Sequence, residues 1–118
     1  MPAAQEIERP EGTDTVLRAL ADPHRRDIIR LIQDTELAAG QIAANFTLTQ
    51  QAVSQHLAVL RKAGLLEERR AGTRRLYRFH SDALVPVRDL LDEFWPDALE
   101  RLKRAVERDH PKEKAQGA

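Results

Sequence analysis

Apolar residues recur at helical spacing near the start of the chain and predict two helices with a sharp break between them. The first helix has its apolar residues at positions 16, 17 and 20 and should end just before Asp22. Asp22 can cap the second helix, and Pro23 suits its first position, where a backbone N–H is not needed. The second helix is expected to end near Thr35, and its apolar positions are Ile28, Ile29, Leu31 and Ile32.

A short helix and a longer one follow, joined by a tight connection. The short helix is predicted over residues 38–45, with Ile42 as its apolar anchor. Thr49 can cap the longer helix, which should run to about Ala63 and end at Gly64 in a left-handed conformation. The apolar stripe of this helix, at i, i+4 and i+7, consists of Val53, Leu57 and Leu60.

After residue 64 the pattern changes to two short strands and a long amphipathic segment. Apolar and polar residues alternate with the period of a strand, and strands are predicted over 65–69 and 74–79. From residue 81 to about residue 109 the apolar residues return to helical register. Because prolines interrupt this segment twice, we expect a helix that starts near Val85 and is kinked or broken at Pro96.

Composition fits one small domain. Of 118 residues 42% are hydrophobic, and only one Trp, one Tyr and three Phe are aromatic, so an aliphatic core and added stability from dimerisation are expected. We predict a single domain over 12–109, a disordered arm at 1–11 and a disordered tail at 110–118. The chain has no cysteine, which excludes disulfides, thiol catalysis and thiolate metal sites. Without a signal sequence or a membrane-spanning run, a cytoplasmic protein with no membrane partner is expected.

Positive charge is concentrated in one part of the chain. The formal net charge is zero, but residues 49–80 carry seven basic and two acidic residues, a local balance of +5. Such a patch is typical of a surface that binds phosphate groups, and the alternative is a solvated arginine-rich hairpin.

The order helix, tight turn, helix, hairpin is typical of a winged helix-turn-helix, so the predicted fold class is mainly α with a small β-hairpin (α+β). In this fold the second helix enters the DNA major groove, where glutamine and serine can bond to base edges. The residues predicted to read bases are Gln50, Gln51, Ser54 and Gln55. The residues predicted to contact phosphates or the minor groove are Arg70, Arg74 and Arg75.

Three stretches resemble the ArsR family of bacterial winged-helix repressors. Residues 19–29 (ALADPHRRDII) resemble the family's opening, residues 49–57 (TQQAVSQHL) its recognition helix, and residues 60–66 (LRKAGLL) the segment that leads into its wing. The resemblance implies a homodimeric repressor that binds an inverted-repeat operator in double-stranded DNA. It adds Thr49 and His56 as contacts to the DNA backbone, although His56 is equally suited to steady the turn from a half-buried position.

The resemblance further implies a dimer held together by the first and last helices. The residues assigned to this interface are Val16, Leu17, Leu20, Val87, Leu90, Leu91, Phe94, Trp95, Leu99 and Leu102. The two adjacent aromatic residues could instead line a pocket for an unknown small-molecule effector, but interface packing is the favoured interpretation.

The chain departs from the family where many relatives sense metals. Ala38 and Gly40 stand where those relatives carry Cys-x-Cys. Other relatives bind metal between their last helices through Asp, His and Glu, whereas this segment has only carboxylates, which are typical of a solvated helix face. These carboxylates are Asp89, Asp92, Glu93, Asp97 and Glu100. We therefore predict a metal-independent regulator without a cofactor.

Two other classes of function compete with a DNA-binding regulator. An enzyme would need a nucleophile beside a base, and Ser54 and His56 point to different faces of their helix, so we expect no catalysis. A winged helix can also serve only to bind another protein. The polar residues of the recognition helix and the hairpin arginines argue against this alternative.

Overall fold

A computed structural model of the protein describes residues 12–109, which fall into two compact units with their boundary in the chain between Val87 and Arg88. The predicted arm and tail lie outside the described residues. The elements of the first unit are α1 (Thr13–Ala21), α2 (Pro23–Ile32), β1 (Leu37–Ala38), α3 (Ala39–Ala43), α4 (Gln50–Lys62), β2 (Leu66–Ala71), β3 (Arg74–Phe79) and a 3-10 turn (Ser81–Leu84). Helix α5 (Val85–Phe94) crosses the boundary, and α6 (Ala98–Asp109) completes the second unit.

The break between α1 and α2 forms as the sequence predicts. The Asp22 side chain accepts hydrogen bonds from the backbone N–H groups of His24, at 2.7 Å, and Arg25, at 3.4 Å. Pro23 occupies the first helical position. Helix α2 ends at Ile32 rather than near Thr35, because the chain must become extended to pair as β1.

Three antiparallel strands form one sheet in the order β1-β3-β2. Tyr77 of β3 lies between Leu37 of β1 and Glu68 of β2. The sequence did not predict β1, because two residues are too few to show the alternation of a strand. Since Ala38 pairs in this strand, α3 begins at Ala39 and is shorter than the predicted helix over 38–45.

The core of the first unit is aliphatic, as predicted. It is built mainly where α1, α2, α3 and α4 pack together over β2 and β3. Burying each large aliphatic side chain contributes about 1.5–3 kcal/mol relative to leaving it exposed. The buried core residues are Val16, Ala19, Ile28, Ile32, Ile42, Val53, Leu57, Leu60, Leu65 and Leu66.

The segment after the hairpin is divided into two helices. Helix α5 starts at Val85, as predicted, and the chain leaves helical geometry at Trp95 and Pro96. Asp97 has a φ of 67°, in the left-handed region that non-glycine residues rarely adopt. The predicted kink or break is therefore a break. No helix in the described residues is long and apolar enough to cross a membrane.

Candidate nucleic-acid interface

Helix α4 is fixed at both ends by local interactions. The Thr49 hydroxyl oxygen accepts a hydrogen bond of 3.0 Å from the backbone N–H of Ala52, which caps the helix. At the other end Gly64 has a φ of 80° and ends the helix in the left-handed conformation that the sequence predicts. The cap on Thr49 and the buried stripe of Val53, Leu57 and Leu60 set which face of α4 points outward.

The outward face of α4 presents polar side chains that are free to bind a ligand. Gln50, Gln51, Ser54 and Gln55 are all exposed, and within residues 12–109 their side chains make no hydrogen bond. Amide and hydroxyl groups in this state can donate to and accept from base edges. The structure thus brings the four predicted base-reading residues to one accessible surface.

The hairpin of β2 and β3, which we call the wing, carries arginines at its tip. A two-residue turn joins Ala71 to Arg74, and its first residue, Gly72, has a φ of 66°, as type II′ turns require. Arg70 lies directly opposite Arg75 across the two strands. Within the described part of the chain, Arg70 and Arg74 have no ion-pair partner.

The other arginines of the basic patch are held by carboxylates. Arg69 donates two hydrogen bonds, of 2.7 and 3.0 Å, to Glu36, and Arg78 donates one of 2.9 Å to Glu67. The hydrogen bonds from Arg69 hold the pKa of Glu36 below its ordinary value and raise the pKa of Arg69. Within the described residues, the arginines of the patch that no carboxylate holds therefore lie at the wing tip.

Known proteins resemble both this sequence and this fold. A family model described as a helix-turn-helix domain matches residues 20–69. The HTH-type transcriptional regulator Rv2034 of Mycobacterium tuberculosis is 43% identical over 86 residues, or 73% of this chain and 80% of that protein. The transcriptional activator HlyU of Vibrio cholerae is 33% identical over 95 residues, or 80% of this chain and 88% of that protein.

A solved structure of a transcriptional regulator has a similar fold. The crystal structure of a possible transcriptional regulator for arsenical resistance superposes with a TM-score of 0.61 at 39% sequence identity and covers 75% of this chain and 93% of its own. The chain belongs to the ArsR family of helix-turn-helix transcriptional regulators. The winged helix-turn-helix predicted from the sequence is thereby confirmed.

In this ArsR protein His56 is turned toward α2 and is half-buried. Its Nδ1 atom lies 3.3 Å from Nη1 of Arg25, and its ring centre lies 5.8 Å from that of His24. Arg25 also donates to the backbone oxygens of Ala19, at 2.7 Å, and Arg18, at 3.0 Å. These contacts support the interpretation that His56 steadies the helix-turn-helix, and its contact with the DNA backbone stays a prediction.

Within residues 12–109, one group of side chains has the composition of a metal site. Asp22, His24 and His56 bring three potential ligand atoms within 4.8 Å of one another. Burial opposes the ionisation of Asp22, but hydrogen bonds from the backbone of His24 and Arg25 and nearby positive charge outweigh it and lower its pKa. The Arg25 guanidinium already supplies a cation there and disfavours a second one. The prediction of a metal-independent ArsR protein stands as a prediction.

The residues assigned to the ArsR dimer interface differ in how accessible they are. Val16 is only 2% exposed and packs in the core of its own chain, so it offers almost no surface to a second chain. Leu20, Val87 and Leu90 are half-buried. The remaining assigned residues are exposed and available to a second chain: Leu17, Leu91, Phe94, Trp95, Leu99 and Leu102.

Two residues beside the recognition face, Arg61 and Glu68, were not predicted from the sequence. Arg61 follows Ser54 by seven residues and Ala58 by three, so the helical period places it on the same side of α4. It donates a hydrogen bond of 2.6 Å to Glu68 of β2. The spacing of Arg61 was visible in the sequence, whereas the contact with Glu68 depends on how the wing folds back on α4.

Proposed function

We propose that the protein is a transcriptional repressor that binds an inverted-repeat operator as a homodimer. Helix α4 enters the major groove, and the wing lies on the backbone or in the minor groove. The observation that carries this proposal is the pairing of two unengaged surfaces: the free polar side chains of α4 and the unpaired arginines at the wing tip. The first can distinguish bases, and the second supplies affinity that does not depend on sequence.

The exposed apolar residues support a dimer. Phe94 is 79% exposed, Leu102 60% and Trp95 49%, and large apolar side chains at such exposure favour association. Two copies of α4 related by a dyad would read half-sites about one helical turn apart. A small-molecule effector of unknown identity, bound near the aromatic pair, is the alternative use of these residues.

The competing function is a winged helix that binds only another protein. Charge distribution favours DNA, because the wing arginines would face a polyanion, and the amide groups of Gln51 and Gln55 have the geometry for paired bonds to adenine. We expect no catalytic activity, no cofactor and a location in the cytoplasm, on the nucleoid when the operator is bound.

Fluorescence anisotropy with a labelled duplex from the gene's own upstream region tests the proposal. The wild type should bind this duplex in the presence of excess random competitor, and the Gln51→Ala, Ser54→Ala double variant should lose this preference. Two results together would support the competing function instead. The protein would show no preference for any genomic duplex, including a library of upstream regions, and a protein partner would still bind the double variant.

A further inference from the structure

Glu68 is placed between the recognition helix and the wing. Its side chain is 19% exposed, and its Oε2 atom accepts a hydrogen bond of 2.6 Å from Nη1 of Arg61. The Nε atom of Arg75 lies 3.4 Å from Oε1 of the same carboxylate. One carboxylate thus holds two arginines, one from α4 and one from β3.

The face of the wing that carries Glu68 grades from apolar to basic. Leu66 pairs with Phe79 at the core end, Glu68 pairs with Tyr77 in the middle, and Arg70 pairs with Arg75 at the tip. Directly opposed like charges destabilise a pair of strands. Arg61 and Arg75 therefore share a single carboxylate, and Arg70 beside them has no ion-pair partner within residues 12–109, so the cluster retains positive charge that an anion would neutralise.

Open space lies beside this cluster. A pocket of about 150 Å³ separates α4 from β3, and its lining includes Ser54, Arg61, Arg75 and Tyr77. Ala58, between Ser54 and Arg61 on the helix, has a side chain too small to fill it. The pocket has arginines for an anion and borders Ser54 on the exposed face of α4, where the proposed operator would lie.

We propose that this pocket binds one phosphate of the DNA backbone through Arg61 and Arg75, and that Glu68 is the internal anion that holds both arginines when DNA is absent. The inference rests on the proposed function, because it places the duplex across α4 and the wing. A phosphate in the pocket would fix the distance between the base-reading face of α4 and the arginines of the wing. Glu68 would also reduce binding to random DNA, since a phosphate must compete with its carboxylate.

Binding of the full-length protein to a random-sequence duplex, measured by anisotropy at several salt concentrations, tests this site without knowledge of the operator. Arg61→Ala should weaken binding about tenfold and flatten the dependence of log K on log salt. Arg30→Ala is the matched control, because Arg30 makes an exposed ion pair of 2.6 Å with Asp27 on α2. The control should stay within about twofold of the wild type.

Two further variants sharpen the test. Glu68→Gln removes the competing charge and should bind random DNA several-fold more tightly, with a steeper salt dependence. The double variant Arg61→Ala, Arg75→Ala should lose less DNA affinity than the product of the fold-losses of the two single variants, since both arginines bind one phosphate. Thermal unfolding of each variant establishes that it is folded.

The outcomes separate the inference from the proposed function. If the folded wild type binds no duplex at low salt, the proposed function fails and the phosphate site fails with it. If the wild type binds but Arg61→Ala matches Arg30→Ala, only the phosphate site is overturned. Weaker binding by folded Glu68→Gln would also overturn it, because the carboxylate would then support DNA binding rather than compete with it.

Discussion

Arg25 at the start of α2 contacts His56 in the middle of α4, with 3.3 Å between Nη1 of the arginine and Nδ1 of the histidine. The same guanidinium bonds to two backbone oxygens near the end of α1. A single half-buried side chain therefore ties together three helices of the first unit, including the one that we propose reads DNA.

Removal of this side chain should destabilise the protein more than removal of its neighbour. Arg25→Ala should lower the free energy of unfolding by about 2 kcal/mol, the range of hydrogen bonds to a charged group. Arg26 also bonds to backbone oxygens of α1, at 2.7 and 3.1 Å, but it is exposed and does not contact α4. Urea unfolding should therefore show a smaller loss for Arg26→Ala, and equal losses would contradict the role assigned to the contact with His56.

Asp22 should make stability depend on pH in the acidic range. Its pKa in the folded protein lies below the ordinary value of 3.8, so its ionised form favours the folded state. This stabilisation is complete above the ordinary pKa and is lost as the pH falls through the lowered pKa. Asn also caps helices but carries no charge, so Asp22→Asn should unfold at a slightly lower urea concentration at neutral pH and show a flatter loss of stability below about pH 4.

Asp22→Ala separates the cap from the charge. This variant loses the acceptor for both backbone N–H groups and should be less stable by about 1 kcal/mol at neutral pH. If Asp22→Asn lost as much stability as Asp22→Ala at neutral pH, the charge of Asp22 rather than its capping hydrogen bonds would be its main contribution to stability.

Base reading and phosphate contact should respond differently to mutation. Gln51→Ala should cost about 1–3 kcal/mol on the operator and little on random DNA, because only the operator offers the matching base edge. Arg74→Ala should weaken binding to both duplexes alike and reduce the salt slope by about one. Equal losses on the two duplexes for Gln51→Ala would remove that residue from the set that reads bases.

The proposed dimer can be tested on α6. Leu102→Glu should shift the protein toward monomer in sedimentation experiments, because a charge at a buried interface is costly. Arg104→Glu introduces the same acidic residue at a neighbouring exposed position of the helix and should leave the association state unchanged. A dimer of unchanged affinity in Leu102→Glu would exclude α6 from the interface.

Two glycines should respond in opposite directions to substitution by alanine. Gly64 has a φ of 80°, and an added Cβ would meet only Ala83 at an ordinary 3.8 Å, so Gly64→Ala should cost about 1–2 kcal/mol through its backbone alone. Gly40 lies in α3, and an added Cβ would meet no neighbouring side chain within 4 Å. Gly40→Ala should therefore raise the free energy of unfolding by about 0.5–1 kcal/mol. Thermal unfolding of the two variants compares these effects directly.

The order and limits of the elements were largely predictable because their signals are local. Asp22-Pro23, Thr49 and Gly64 mark helix ends by their own capping and backbone preferences, and the structure has α2 and α4 starting, and α4 ending, at those residues. The recognition face followed from the spacing of Val53, Leu57 and Leu60, because burying that stripe leaves the opposite side of α4 exposed.

Contacts between elements distant in the sequence were not predictable in the same way. Strand β1 exists because Leu37 and Ala38 meet β3, and Val16 is buried because it belongs to the core of the first unit. The ion pair of Arg61 with Glu68 likewise depends on where the wing meets α4. Sequence patterns identify which face of an element is apolar, but the neighbour that covers this face is set by tertiary packing.

Strand β1 makes the wing resemble a cantilever, a beam clamped at one end. Leu76 and Tyr77 of β3 are bonded on both sides, whereas Arg74 and Arg75 are paired only with β2. Backbone amides should therefore exchange hydrogen slowly near the clamp and faster toward the tip. The tip arginines therefore lie on the most flexible part of the hairpin. This would let them adapt to the variable width of a DNA groove while the base of the wing stays fixed by strand β1.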